Sequence, residues 1–547
     1  MKKLLSFSIL VSSFSICSNA QLTIDNATFF IQSGATVTVQ GDVTSNVDIQ
    51  GTGLLQLKGS SNQNVNMNGF TIPNLEMDNT ANATLTGAAR IGSSMVFTNG
   101  KIQLGTYNMK INSSASISGA GSSRFFWTNS TGQLIKELTA DISAYELPVG
   151  ENSNYRPAYL TTSGSAYSSA QFGVRVLGAA DADKPPMIAS YLNTNWPVTR
   201  TGITGGTVSL SGQYIDPTDI TGTEANLVGY YNSGTDWTSV GESHNAATNR
   251  VGAPVTAASG VVSGMNKFLA VGSRAFLQGA YNAGTGLMID NLRTLPFGSS
   301  ASTANFPSTD PYRVSPYSSA FTHVSNAGVE TIAAAAVLDQ AGTDDDIVDW
   351  VFLELRNLDV SPGNDILQTR AALIQRDGDI VDVDGVSPVT FNAIADGNYI
   401  LAVRHRNHLG LSIDQSSPRA LNETKSTAFT TNVVDLRTAT DPQLYGTSAA
   451  YTTASHPTLT TVNLLWGGNA NSNTNTRFSG LTNDRDYLLI TTLGNNPAAS
   501  LSNIYHGADV NMNKVVRFSG LNNDRDVILI TVLGNNPATS RTQAIPN

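Results

Sequence analysis

The sequence predicts a mainly-β chain of several domains: an N-terminal parallel β-solenoid or other short-strand β domain, two antiparallel β-sandwich domains, and a small C-terminal module of duplicated loop–helix repeats. Three observations predict it. Residues 21–121 run in apolar alternations of two or three residues, each broken by a Gly or Asn corner. Longer alternating segments follow as far as residue 408, and residues 462–547 contain an internal duplication. At about 100–200 residues per domain, a chain of this length holds three to five domains.

Residues 1–20 read as a secretory signal. Lys2 and Lys3 form a basic start, Leu4 to Ile16 an apolar run, and Ser18-Asn19-Ala20 a small-x-small cleavage pattern. The mature chain then begins at Gln21 and has no cysteine, because the single one is Cys17. Read as a lipid-anchor cysteine, Cys17 would be preceded by Ile16, which is bulky for that signal. Cleavage after Ala20 leaves no disulfide and no thiolate ligand. No later run of 18 apolar residues exists, so no transmembrane span is expected.

In 21–121 the units TVTVQG, NVDIQG, LLQLKG, NVNMNG, NLEMDN and KIQLG are too short to build a sandwich easily. Stacked as rungs they bury their inward side chains on one another. A meandering β-sandwich is the rival arrangement. In 122–273 the segments RFFWTN, QFGVRVLG, NLVGYYN and KFLAVGS read as antiparallel strands with one wet and one dry face. In 274–408 the run IVDWVFLELRN places apolar residues on both faces, as a central strand does. GVETIAAAAVLD is the one strongly helix-like stretch, although its alanines suit a strand as well. Residues 409–461, rich in Ser and Thr with weak periodicity, read as a connector.

Charged residues make up 13% of the chain and the net charge is −10. Such a surface repels phosphate backbones, so nucleic acid is not an expected partner.

The most informative segment is the last. RFSGLTNDRDYLLITTLGNNPAAS, Arg477 to Ser500, recurs 40 residues later as RFSGLNNDRDVILITVLGNNPATS, Arg517 to Ser540, with 19 of 24 positions identical. Before each copy lies an oxygen-rich array. Asp509, Asn511 and Asn513 occupy positions 1, 3 and 5 of a loop, and Val515 offers a carbonyl at position 7. Calcium takes six to eight oxygens, and this spacing aims successive ones at a single centre. Position 12, where a bidentate carboxylate normally closes such a loop, is Gly520, so Asp524 or Asp526 must close it after an insertion. In the first copy Asn469, Asn471, Asn473 and Asn475 form the array, with Asp484 and Asp486 behind them. Less negative charge there predicts weaker binding. Asp484 and Asp524 are suited to capping the apolar segments that follow, and Gly494 and Gly534 to ending them.

Loop plus helix, twice, resembles a dockerin. The stretch RDGDIVDVDG…RHRNHLG followed by paired NNDRD repeats is similar to secreted, hemagglutinin-like surface proteins of the Bacteroidota. That resemblance implies calcium as cofactor, export across the outer membrane and a place at the cell surface.

Other candidates carry weaker chemistry. Asp377, Asp379, Asp382 and Asp384 read as turn formers, and Asp344, Asp345 and Asp346 as a charged loop. His405 and His408, placed on one strand, point to opposite faces and hold no common metal. Tyr230, Tyr231 and Trp237 suit either a sugar-stacking platform or a core. The solenoid charges Asp42, Lys58, Glu76 and Arg90 are too scattered for lyase chemistry. The expectation is a secreted, non-catalytic structural or adhesin-type protein. Its partners are extracellular or cell-surface proteins or glycans, and exposed edge strands allow self-assembly. A carbohydrate-binding accessory protein is the alternative, and a solenoid polysaccharide lyase or hydrolase a third reading.

Overall fold

The computed structural model describes residues 20–234, 236–239, 243–326, 328–340, 344–358, 365–422, 425–426, 432–438, 444–447 and 449–546. The expected secretory segment, up to residue 19, lies outside them. The chain is mainly β and forms two compact units. One is built from residues up to 180 with 192–219 and 243–263, the other from 181–191, 220–242 and 264 onward. Among the described residues no helix is long and apolar enough to cross a membrane.

The first unit starts as a parallel β-solenoid of about six turns. On one side Leu22 lies beside Val43 and Val43 beside Val65, and further along Ala83, Ile102, Phe126 and Val149 continue the stack. On another, Val39, Leu57, Met77 and Phe97 form a column, each beside the next. All four are buried, because parallel in-register stacking turns every second side chain of a rung onto its neighbours. The corners bend through left-handed positions. Gly51 (φ +90°) is one where a Cβ would meet the Ile31 carbonyl oxygen at 2.0 Å, so only glycine fits. A buried amide ladder closes another: Gln63 Nε2 donates to the carbonyls of Val39 (2.9 Å) and Gly41 (2.7 Å), and Asn79 Nδ2 donates to Gln63 Oε1 (2.7 Å).

The strand Leu134–Leu138 ends the parallel stack. It pairs in parallel with Met109–Ile111 and antiparallel with Ala166–Val174. From there the unit is antiparallel, with a sheet built on Ala158–Ser163, Thr207–Gln213 and Arg250–Pro254. The buried Arg156 guanidinium grips Asp219 through two bonds, 2.8 and 2.6 Å.

In the second unit a sheet runs Val389–Asn392, Phe268–Arg274, Asp379–Val381, Ile366–Gln375, Ile347–Arg356, Gly397–His405, His408–Ser412. Every residue of Ile347–Arg356 is buried, as its two apolar faces predict. The alanine-rich stretch is neither helix nor strand. Only Ala335–Leu338 winds into a 3₁₀ turn, anchored by buried Leu338, and the alanines before it face solvent. Alanine favours helix but supplies too little apolar area to hold one against a core.

Residues 409–461 do more than connect. Val433–Asp435 pairs in parallel with Phe268–Arg274, and Leu411, Ile413, Leu421, Val434 and Leu436 join the sheet's core. These strands are two to five residues long, too short to leave a periodic trace.

Candidate functional site

The C-terminal repeats form a reciprocal pair. The strand after the first repeat, Ser500–Ser502, pairs with Val515–Arg517 in the second. The strand after the second, Ser540–Thr542, pairs with Asn475–Arg477 in the first. Ser479 Oγ donates to the Pro537 carbonyl and Ser519 Oγ to the Pro497 carbonyl, both at 2.7 Å. One apolar core serves both copies, with Leu488 and Leu493 of one against Ile528, Val532 and Leu533 of the other.

Within each loop the alternating asparagines fold back on the chain. Asn511 Oδ1 accepts from the Asn513 N–H (3.3 Å), and Asn513 Oδ1 from the Val515 N–H (2.8 Å). The first loop repeats this with Asn471 to Asn473 (3.1 Å) and Asn473 to Asn475 (2.7 Å). Between them Met512 and Lys514 take positive φ, +57° and +71°, the sharp winding that brings alternate side chains to one side. Asn511 Nδ2 donates to the Asn522 carbonyl (2.9 Å) and Asn471 Nδ2 to that of Thr482 (2.8 Å), which ties each array to the inserted turn before its late aspartates, Ser519 to Asn522 and Ser479 to Thr482.

The first late aspartate closes each loop. Asp524 accepts from the amides of Val510 and Arg517, both at 2.9 Å, so it spans the array. Asp509 accepts from the amides of Asn513 (3.0 Å) and Lys514 (2.9 Å). Both carboxylates are fully buried, and neither forms an ion pair among the described residues. Burial pushes the Asp509 carboxyl up to about 6, against the opposing charge of the Arg406 guanidinium. Burial, then the Asp509 charge, pushes Asp524 well above the carboxylate range. In the first loop Asp484 Oδ2 accepts from the Arg477 amide (2.8 Å), and burial raises this carboxyl to about 7. Its Oδ1 has only loose approaches from the amides of Ala470 and Asn471, and Asn469 Oδ1, also buried, has no hydrogen-bond partner.

Asp486 and Asp526 lie nearer solvent, Asp486 in an open recess that Asn471 and Asn473 also line. Each pairs with the arginine before it, at 2.7 and 2.6 Å, and about 38% of its side chain is exposed. Asp484 and Asp524 do not cap the helical segments. Asn483 and Asn523 do, accepting from the amides of Asp486 (2.8 Å) and Asp526 (2.9 Å). The carboxylate one residue on is the first helical residue and reaches the loop instead. The segments themselves are a single α turn, Asp484–Asp486 and Asp524–Asp526, followed by wider π-type winding over Tyr487–Thr492 and Val527–Val532.

Among the described residues no three His, Cys, Asp or Glu side chains gather as a metal cluster. A cation in the second loop would draw on two carboxylates, Asp509 and Asp524, with neutral oxygens of Asn511, Asn513 and the main chain at Val515. The hard-oxygen donors and two buried carboxylates without an ion-pair partner fit calcium. In the first loop the donors would be Asp484 with Asn469, Asn471, Asn473 and Asn475, and the two orphaned oxygens fit it too.

His405 and His408 do converge, against the reading from one strand. A two-residue turn, Arg406-Asn407, places them opposite each other with their Nδ1 atoms 3.0 Å apart. Their outer nitrogens are taken by Asp349 (3.0 Å) and the Gly279 amide (2.9 Å). Tyr230, Tyr231 and Trp237 are buried, so they form core and no platform. Asp382 is buried against Arg370 (2.7 Å), and Asp379 pairs with Arg274 (2.5 Å). On the solenoid, Lys58 pairs with Asp78 (2.9 Å) and Arg90 with Glu137 (2.7 Å). The residues around Arg406 escaped the sequence reading because their partners lie 57 to 156 positions away. Only the density of basic side chains in RHRNH marked the place.

Comparison of the chain with protein-family models, with curated proteins and with solved structures finds no match.

Proposed function

We propose that the chain is a secreted, non-catalytic protein of the cell surface or extracellular matrix, of structural or adhesin type, whose C-terminal repeats bind calcium. One observation carries the reading. Asp509 and Asp524 are fully buried in one loop, beside asparagine oxygens at alternating positions, with no cationic side chain paired to either. Two carboxylates buried in one loop, with no ion-pair partner and only the charge of Arg406 acting on Asp509 from beyond contact, are costly unless protonated or ligated. The asparagines add neutral oxygens of the kind calcium accepts. A solenoid and antiparallel sheets supply rigid, polar-faced surface, and the basic-apolar-small start of the sequence supports export.

Calorimetric titration of the full chain tests it. Calcium is expected to bind with a Kd on the order of 10⁻⁵–10⁻³ M, the range of extracellular loops and weak sensors. Asp509→Asn with Asp524→Asn should abolish the stronger site, and a flat isotherm for the wild type would overturn the calcium reading. Protease shaving of intact producing cells addresses location: release of fragments from this chain is expected, and full protection inside the cell would overturn it.

A further inference from the structure

A hairpin tip is ordinarily the most exposed part of a sheet. The tip joining Gly397–His405 to His408–Ser412 is not. His405, Arg406, Asn407 and His408 are each at most 1% exposed. The two C-terminal loops hold this tip, and they do so through their leading residues. Asn407 Nδ2 donates to the main-chain carbonyl of Asp509 (2.7 Å), the first position of the second loop. The Asn407 carbonyl accepts from the amide of Asn469 (3.1 Å), the first position of the first loop. Ser472 Oγ of that loop donates to the Arg406 carbonyl (2.5 Å).

The tip is tied as firmly on its inner side. The Arg406 guanidinium reaches Asp349 (2.9 Å) in the central strand and the His506 carbonyl just before the second loop, and lies 4.4 Å from the Tyr505 ring centre. Tyr505 Oη donates to the other oxygen of Asp349 (2.7 Å). Asp349 thus accepts from Arg406 and Tyr505 and bonds to His405, three groups that meet only when tip and loops are both in place. The second loop also enters the sheet's own core through Met512.

We infer that the Arg406-Asn407 tip is the seat on which both loops are clamped, so that calcium bound in the loops stabilises the sheet that ends in that tip. The inference rests on the calcium reading for its trigger, while the clamp itself rests on the contacts above. Asp509 is the shared residue: its carboxylate accepts from the Asn513 and Lys514 amides inside the loop where calcium would bind, and its carbonyl holds Asn407. A ligand that fixes one end of Asp509 fixes the other. Linkage then requires the docked tip to raise calcium affinity by the same factor that calcium strengthens docking.

Hydrogen exchange of the full chain, with calcium and with a chelator, tests this beside calorimetry. In the wild type, calcium should slow exchange of the amides in 347–356 and 397–405 by about tenfold, the effect of roughly one buried hydrogen bond. In Asn407→Ala calcium should still bind, but that slowing should fall below about twofold, with Ser472→Ala as a milder variant that keeps part of it. Slowing confined to the loops in the wild type, or undiminished in Asn407→Ala, overturns the inference. If the wild type takes up no calcium, the trigger fails separately and the clamp is judged in chelator alone. Asn407→Ala should then speed exchange in 397–405 and in 509–515 together, and a change confined to 405–408 overturns the clamp as well.

Discussion

The Lys136 ammonium lies 2% exposed beneath the last corner of the solenoid. It stacks under Ile111 in the inward column and donates to three carbonyls, those of Asn112 (2.6 Å), Ser113 (3.0 Å) and Ala115 (3.1 Å). Where the rungs end, one side chain satisfies carbonyls that the next rung would otherwise meet. Burial pushes Lys136 down to about 8, while an unfolded lysine titrates near 10.5. The folded chain therefore binds fewer protons between these values, and stability rises with pH across the window. Between pH 8 and 10 the wild type should gain on the order of 2 kcal/mol in denaturant unfolding. Lys136→Met should lose that rise and cost about 1–3 kcal/mol at pH 8, because three carbonyls lose their donor. An equal gain in both proteins would sink the assignment. None of this was readable beforehand, since a lysine in LIKEL looks like the wet face of a strand. The loop ligands were different. Their one-in-two spacing was legible, and what stayed hidden was which aspartate turns inward, a choice made by Asn483 and Asn523 taking the cap.

Among elements, the solenoid was the most legible, because its signal is local. Two or three alternating apolar residues and a corner define a rung without reference to distant sequence. Leu57 shows what a rung position contributes: it is 1% exposed, with neighbours in the rungs before and after. Leu57→Ala should destabilise by about 2–5 kcal/mol, the sum of lost transfer energy and a cavity that stacked rungs cannot collapse. Leu521, in the inserted turn of the second repeat, is 86% exposed, and Leu521→Ala should fall within about 0.5 kcal/mol of the wild type. Equal costs at the two positions in urea unfolding would contradict the stacking order described. The helical segments were legible only in their ends. Their apolar residues predicted ordinary helix, whereas after one turn the winding widens to π-type, with the Leu493 amide reaching the Leu488 carbonyl (3.2 Å).

At the scale of the whole molecule, the sequence suggested a C-terminal module separable from what precedes it. Instead, Val462, Leu464, Leu465, Tyr505 and Met512 belong to the same core as Trp350 and Phe352. The Pro546 carbonyl accepts from the buried Arg356 guanidinium (2.8 Å). A chain truncated after Thr461 should therefore lose the near-ultraviolet dichroism of Trp350 and expose apolar surface to a dye such as ANS, and native-like spectra would refute the shared core. Sequence missed this because the contacts join residues more than a hundred positions apart, and duplication is visible without saying what the copies touch. The reciprocal strands of the two repeats carry a counting rule. Each copy lends its trailing strand to the other and borrows one in return, so two copies form a closed ring with no vacancy. A third copy inserted in tandem would find both partners already engaged and would present an unpaired edge to any neighbouring chain.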